Sequence, residues 1–319
     1  MTLQYKPYEE RTPDHQYREL VRRVRAEGIY TKNPHQTRGT FTSVTLPKMV
    51  FPLSNGVPLL TERRISFWRK PIAELIAFIN GARTLEQLRQ YGDEKTWASW
   101  WEEWITPEKC ADFGLPPGDL GPGSYGAAFH DFPMPNGETF NQWEHVIREI
   151  RDEAGLRTHR VTTWIPFFAL QHEGLQRKVV VAPCHGDVQI TILDGKLYLQ
   201  MDQRSCDVIL GLPSNLIQYA ALTLMLAQVT GYEAHTYIHN VRDGQIYENF
   251  LEPQRPTLDE PDKERPSVVD ELLARDPKPY PTLRITDETI KDLFAFRPEH
   301  FELTDYQAHP AMPKLEATI

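Results

Sequence analysis

Ala182-Pro183-Cys184-His185-Gly186-Asp187-Val188-Gln189-Ile190-Thr191-Ile192-Leu193-Asp194-Gly195 opens the stretch that decides the fold. Val188, Ile190 and Ile192 alternate with polar residues, which is the period of a half-buried strand. Asp194-Gly195 supplies the positive-φ pair of a tight hairpin. Lys196 to Asp202 is the return strand. After it come Gln203-Arg204-Ser205-Cys206-Asp207, and Gly211-Leu212-Pro213-Ser214-Asn215 leads into a helix. A cysteine before a hairpin and an Arg-Ser pair after it can face one pocket. That constellation suits attack on an anionic substrate: a cation near a thiol favours the thiolate, which is the nucleophilic form.

The 319 residues suffice for one large domain or two small ones. A net charge of −9 argues against nucleic-acid binding through bulk charge, and still allows a local basic pocket for one phosphate. Three cysteines, Cys110, Cys184 and Cys206, cannot all pair and lack metal-ligand spacing. No metal site is expected, and a reducing, cytoplasmic setting is. The first residues show no apolar leader, and no run has the length of a membrane helix, so no membrane partner is expected either.

Outward from the hairpin, helical and extended periods alternate. Asp14 to Glu27 places Tyr17, Leu20, Val21 and Val24 on one face, so a helix opens the fold and Gly28 ends it. Thr37-Arg38-Gly39-Thr40-Phe41-Thr42 reads as a loop entering a strand, and Met49 to Leu53 as a strand. Arg63, Arg64, Arg69 and Lys70 are either a solvated basic surface or a site for an acidic substrate or cofactor tail. Pro71 starts a helix carrying Glu74 among Ile72, Leu75, Ile76, Phe78 and Ile79. Such a carboxylate is usually solvated on an outer face; facing inward, it would be a proton-transfer group with a raised pKa. Leu85 to Tyr91 is a second helix. Trp97, Trp100, Trp101 and Trp104 are core, or a stacking wall for a planar ring.

Pro107 to Pro122 reads as a loop, Thr139 to Glu153 as an amphipathic helix, and Arg157 to Trp164 as a strand. Ser214 is the expected N-cap of a buried central helix, Leu216 to Thr230, that Gly231 terminates. Tyr237 to Tyr247 is strand-like. Residues 252–266, rich in Pro and acids, read as a surface insertion. Val268 to Arg275 is a short helix, and Leu283, Ile285 and Leu293 to Phe296 are late strands. The tail from His309 to Ile319 reads as mobile. No repeat or linker divides the chain, so residues 1–319 are expected to form one α+β domain.

Taken together, these pieces resemble the thymidylate synthase family, which includes the pyrimidine nucleotide hydroxymethylases. The resemblance rests on Ala182-Pro-Cys184-His185, Gln203-Arg204-Ser205-Cys206-Asp207, Gly211-Leu-Pro-Ser-Asn215 and Gln245-Ile-Tyr247, with Glu74, Trp97, Gly118-Asp-Leu-Gly-Pro, Tyr125 and the tail in family order. It implies a two-layer α/β fold whose large bent mixed sheet builds a homodimer. It implies a pyrimidine nucleotide monophosphate as substrate and 5,10-methylenetetrahydrofolate as one-carbon donor. Cys184 would add to C6 of the base. Arg204, Ser205, Gln203 and Arg38 would lie at the phosphate and base, and Arg157 would reach the partner subunit's phosphate. Asn215 would read the O4/N3 edge, and Tyr247 and Gln245 the sugar. Glu74 and Tyr125 would move protons. Asp207, Trp97 and Arg63 would line the folate.

Five features depart from the pattern, the first being Arg157-Thr158, with Arg160 offset, where a pair of adjacent arginines is usual. The phosphate loop is only echoed by Thr37 to Thr40. Gln245 stands where a sugar-binding His is usual, Ser214 where a Phe is, and Ala98 where an Asp follows the pocket Trp. Such a wall admits an ordered water. The leading expectation is therefore conversion of dUMP to 5-hydroxymethyl-dUMP, of the kind that supplies a modified base for viral DNA. The alternatives are thymidylate synthesis and cytidylate hydroxymethylation; Asn215, where cytosine enzymes carry Asp, favours uracil. From another class comes a catalytically idle nucleotide- or RNA-binding protein.

Overall fold

A computed structural model describes residues 3–33, 36–92, 97–171, 174–254, 265–312 and 315. Its centre is the helix Leu212–Thr230, buried nearly all round. The helix lies between two parallel strands, Lys196–Gln203 and Glu233–Val241, as the crossover of a βαβ unit. Pro213 sits in its first turn, where no N–H partner is needed. The expected cap at Ser214 is thus corrected: the helix begins at Leu212, four residues before the expected Leu216, and Ser214 is inside it. Gly231, in the left-handed region at φ 81°, ends it as expected.

The two strands belong to a five-stranded mixed sheet in the order Met49–Pro52, Glu233–Val241, Lys196–Gln203, Asp187–Leu193, Arg160–Val161. The hairpin of the opening stretch forms in register, Val188 opposite Met201 and Leu193 opposite Lys196. Asp194 and Gly195 take φ 48° and 73° at its tip, as the Asp-Gly pair implies. A second sheet joins Ile29–Thr31, Thr40–Ser43, Gly244–Tyr247 and Cys206–Asp207. The two parallel strands leave the first sheet at Gln203 and Val241 and resume in the second at Cys206 and Gly244, again parallel. Arg204-Ser205 and Arg242-Asp243 therefore sit at the bend between the sheets.

Several other expectations shift. Pro107–Asp112 is a short helix rather than loop, capped by the Thr106 side chain on Lys109 N–H with Pro107 in the first turn. The amphipathic helix spans Gln142–Asp152, because the Asn141 side chain caps it and Thr139-Phe140 pair with Phe132-Pro133. The 157–164 segment contributes only Arg160–Val161 as strand. Tyr237 to Tyr247 is two strands in two sheets. Leu293–Ala295 is a 3-10 turn rather than a strand, with Asp292 capping Phe294 N–H. Pro253–Gln254 pairs with Arg265–Ser267, but 255–264, the body of the expected insertion, lies outside the described residues, as does most of the tail, 313–314 and 316–319. Among the described residues no helix is long and apolar enough to cross a membrane, and no group of three metal-binding side chains occurs.

Gly186 aims the nucleophile loop. It holds φ 105°, and a Cβ there would stand 2.5 Å from Thr163 Cγ2. The Thr163 hydroxyl donates to the neighbouring His185 carbonyl at 2.7 Å, so that side chain is anchored. Gly186→Ala is expected to cost about 1–3 kcal/mol in denaturant unfolding, from backbone strain plus the clash. Unchanged stability would mean that the loop is not held as described.

Candidate active site

Cys184 lies on the loop between residue 181 and the strand Asp187–Leu193, half-buried. Its carbonyl accepts from Arg204 N–H at 2.7 Å, which ties the loop to the bend between the sheets. The Arg204 side chain then folds back over it. Nε donates to the Pro183 carbonyl at 3.1 Å, Nη2 to the Ala182 carbonyl at 3.2 Å, and Nη2 lies 3.5 Å from Cys184 Sγ. The guanidinium also covers the Trp164 ring at 5.3 Å. Burial pushes the Cys184 thiol up; Arg204 and the Tyr125 hydroxyl pull it down. The net direction is up. In the free protein the exposed Arg204 guanidinium lessens the effect of burial on the thiol without reversing it.

Tyr125 opens the short helix Tyr125–His130. Its hydroxyl accepts from Cys184 N–H at 2.7 Å, leaving its own hydrogen to donate. The ring is clamped between Phe78 at 5.1 Å and His185 at 4.4 Å, both stacked. Burial raises Tyr125 well above the usual tyrosine value, so the phenol stays protonated. His185 is buried, lies 2.8 Å from the Tyr219 hydroxyl through Nδ1, and is pushed down to about 3 by burial. It is a neutral ring at physiological pH.

Glu74 faces inward on the helix Arg69–Ile79. The commoner reading of such a carboxylate, a solvated outer face, is corrected. Trp101 Nε1 donates to one oxygen and Gln218 Nε2 to the other, both at 2.7 Å. Burial still dominates these bonds and raises Glu74 from 4.5 to about 7. It is thus poised to exchange a proton near neutrality.

From Glu74 a chain of amides runs back to the base-reading residue. Gln218 Oε1 accepts from Asn215 Nδ2 at 2.8 Å. Asn215 Oδ1 accepts from Gln203 Nε2 at 3.0 Å, and Gln203 Oε1 meets His239 Nε2 at 2.9 Å. His239 Nδ1 meets the Tyr237 hydroxyl at 2.6 Å. Gln203 is thereby committed to neighbours inside the protein: it orients Asn215.

On the opposite side Ser205 Oγ accepts from Gln245 Nε2 at 3.1 Å, and Gln245 also reaches Asp243 at 3.2 Å. Tyr247 ends the strand Gly244–Tyr247, and its hydroxyl accepts from Gln36 at 2.6 Å. Arg38 follows on the same segment, half-buried, and Gly39 carbonyl accepts from Glu248 N–H at 3.1 Å. The 36–40 segment is therefore docked beside Tyr247. Arg157 is exposed, and its carbonyl accepts from Gln189. Among the described residues no hydrogen bond or ion pair joins it to Cys184, Arg204 or Ser205.

Asp207 Oδ1 accepts from the Ile209 and Leu210 amides, both at 2.9 Å, which leaves Oδ2 for a ligand. Burial raises it to about 6. Arg63 is buried and not a solvated surface group. It donates to the Ile209 carbonyl at 2.7 Å and has a buried Nε without a partner. An acidic side chain beside an unsatisfied guanidinium nitrogen fits a polar heterocyclic ligand on this turn.

Trp97 is fully buried against Phe78, with its Nε1 unpartnered, and does not reach Glu74. The tryptophan at the carboxylate is Trp101. Sequence reasoning missed it, along with Gln218, Tyr219 and His239. A signal existed for Gln218: it is a polar residue three positions after Asn215, on the same face of an apolar helix. Cys206 is buried packing, as expected.

A nucleophile under a guanidinium, a phenol on its amide, and a carboxylate wired to an asparagine are the parts of a covalent pyrimidine site. The thymidylate synthase family model matches residues 15–318, so the chain belongs to the thymidylate synthase family.

Proposed function

We propose that the protein transfers a one-carbon unit to C5 of dUMP through a Cys184–C6 adduct and that the product is thymidylate. The family carries the coarse part: folate-dependent one-carbon transfer to a pyrimidine nucleotide. The observation that carries the rest is the unbroken chain from Glu74 through Gln218 to Asn215, beside Cys184 and Tyr125.

The residues supply the chemistry in sequence. Phosphate binds at Arg204 and Ser205, with Arg38 and, from the other subunit of a homodimer, Arg157. Asn215 holds the O4/N3 edge. Cys184 Sγ forms a bond to C6, and the C5–C6 electron pair moves onto C5 and O4. Asn215 and Glu74 stabilise that charge, with Glu74 passing a proton to and from O4. Tyr125, protonated, sits on the nucleophile's amide and has its O–H free to donate to a water that takes the proton leaving C5. Asp207, Arg63 and Trp101 would hold methylenetetrahydrofolate, which supplies the one-carbon unit and, for thymidylate, the hydride. Once C5 has bonded to the transferred carbon, loss of the C5 proton would break the bond from that carbon to the folate nitrogen, and arrival of hydride at the resulting methylene would restore the C5–C6 double bond and expel the Cys184 sulfur.

Support for hydride over water in the final step comes from the residues of the pocket wall. The case for water capture rested on Ala98, Gln245 and Ser214. The pocket tryptophan assigned here is Trp101, and the residue after it is Glu102, so the Ala98 departure disappears. Gln245 bonds Ser205, on the phosphate side and not on the Glu74 side. Ser214 alone remains, half-buried next to Asn215, and it keeps hydroxymethylation as the second reading.

Incubation with dUMP and methylenetetrahydrofolate tests both. Thymidylate with one dihydrofolate per turnover is the expected result. A 5-hydroxymethyl nucleotide without dihydrofolate would make water capture the true end step, and no product from either route would overturn the enzyme reading.

A further inference from the structure

Between the base-reading Asn215 and the proton-transferring Glu74 stands Gln218, fully buried and outside the reaction scheme above. Its Nε2 donates to the Pro71 carbonyl at 3.0 Å as well as to Glu74. A backbone carbonyl only accepts, so the Gln218 amide has one orientation, with its oxygen toward Asn215 Nδ2. The far side of Asn215 is fixed in the same way. Gln203 Nε2 donates to the Ser205 carbonyl at 3.1 Å and to Asn215 Oδ1. Asn215 is thus held between an amide oxygen and an amide NH2, each anchored on a backbone carbonyl. It cannot exchange its ends without breaking both bonds or pulling both glutamines off those carbonyls.

We infer that Gln218 is the positioning residue that sets base specificity, locking Asn215 in the orientation that accepts uracil and rejects cytosine. The inference rests on the proposed role of Asn215. After its two internal bonds Asn215 keeps one N–H on Nδ2 and one lone pair on Oδ1. Nδ2 is the end bonded to Gln218 and so lies toward Glu74, where the proposed mechanism puts O4. That pair complements a carbonyl next to a ring N–H, as in uracil. Cytosine presents an NH2 and a bare nitrogen at the same two places. With the amide locked, donor meets donor and acceptor meets acceptor, and buried groups left unpaired make rejection strong. A free asparagine would turn over and satisfy either base.

The test is calorimetric binding of dUMP, dCMP and 2-deoxyribose 5-phosphate to the full-length enzyme and its Gln218→Met and Gln218→Glu variants. The parent is expected to prefer dUMP. Gln218→Met removes one of the two bonds that hold Asn215, leaving the Gln203 donor in place, and should shrink that preference by about tenfold, the size of one polar base contact. Its affinity for the base-free sugar phosphate should stay within about twofold of the parent's, well under a single such contact. Gln218→Glu, protonated on the oxygen that faces Glu74 and the Pro71 carbonyl, keeps an acceptor for Asn215 Nδ2 and should keep the preference, which separates the lock from packing. An unchanged dUMP/dCMP ratio in Gln218→Met, with or without a parallel loss of both affinities, overturns the inference alone. So does a Gln218→Glu variant that loses the preference as fully. A parent that binds dUMP no better than dCMP overturns the reading of Asn215 and this inference together.

Discussion

Cys184→Ser removes turnover, by about 10⁴-fold or more, while dUMP still binds. The expectation follows from where the sulfur sits and from what surrounds it. Arg204 Nη2 lies 3.5 Å from Sγ, but the same guanidinium is braced on the Ala182 and Pro183 carbonyls. Its position therefore does not depend on the thiol. Asn215, Gln203 and Ser205 are held by their own bonds and not by Cys184. A hydroxyl at 184 keeps the volume and loses the nucleophile, since no group in reach deprotonates an alcohol: His185 is pushed down to about 3, and it bonds Tyr219. Steady-state rates and nucleotide titration read the two halves separately. Turnover by the serine variant at a tenth of the parent rate would mean that Cys184 forms no bond to the substrate. Equal loss of binding would mean that the thiol is structural.

Glu74→Gln is expected to lower turnover by about 10²–10⁴-fold, the usual span of positioned proton transfer. It should also erase an inflection in the pH–rate profile near pH 7, where burial places this carboxyl. Stability offers an independent reading of the same group. The folded value of about 7 lies above the ordinary 4.5, so the folded protein binds more protons between the two. Glu74's contribution is fully present below about pH 4.5 and is lost as pH rises through about 7. Over that window the parent should lose about 3 kcal/mol relative to the glutamine variant. Asp207, raised to about 6, acts with the same sign, while His185 and His239, both pushed down to about 3, act with the opposite sign below about pH 6.5, so the test is the difference between the two curves and not the slope of either. Parallel stability–pH curves for parent and variant would show that Glu74 titrates normally and is not the buried acid described.

The sequence disclosed the parts whose geometry is local. Alternation at Val188, Ile190 and Ile192 and the Asp194-Gly195 tip produced the hairpin in the correct register. Gly231 marked the end of the central helix. The start of that helix was misread, because a serine at 214 looks like a cap while Pro213 in the first turn outranks it. The fate of Glu74 was not legible either. The apolar residues around it surround the whole helix, so periodicity names no solvent face. Only packing against the central helix turns Glu74 inward, and only that packing selects Trp101 over Trp97 from a run of similar rings. The parallel pairing that bends the two sheets at Arg204-Ser205 joins strands some forty residues apart in the chain, which local pattern does not report.

A bond from Cys184 to the pyrimidine would be read as added mass on the protein. The full-length enzyme is incubated with 5-fluoro-dUMP and methylenetetrahydrofolate, then denatured and weighed by mass spectrometry. Fluorine replaces the proton that must leave C5, so the adduct cannot resolve. The account predicts a protein heavier by the nucleotide plus the folate unit, with the added mass on the peptide bearing Cys184 and none in Cys184→Ser. An unmodified protein, or a label on Cys206 or Cys110, would contradict it.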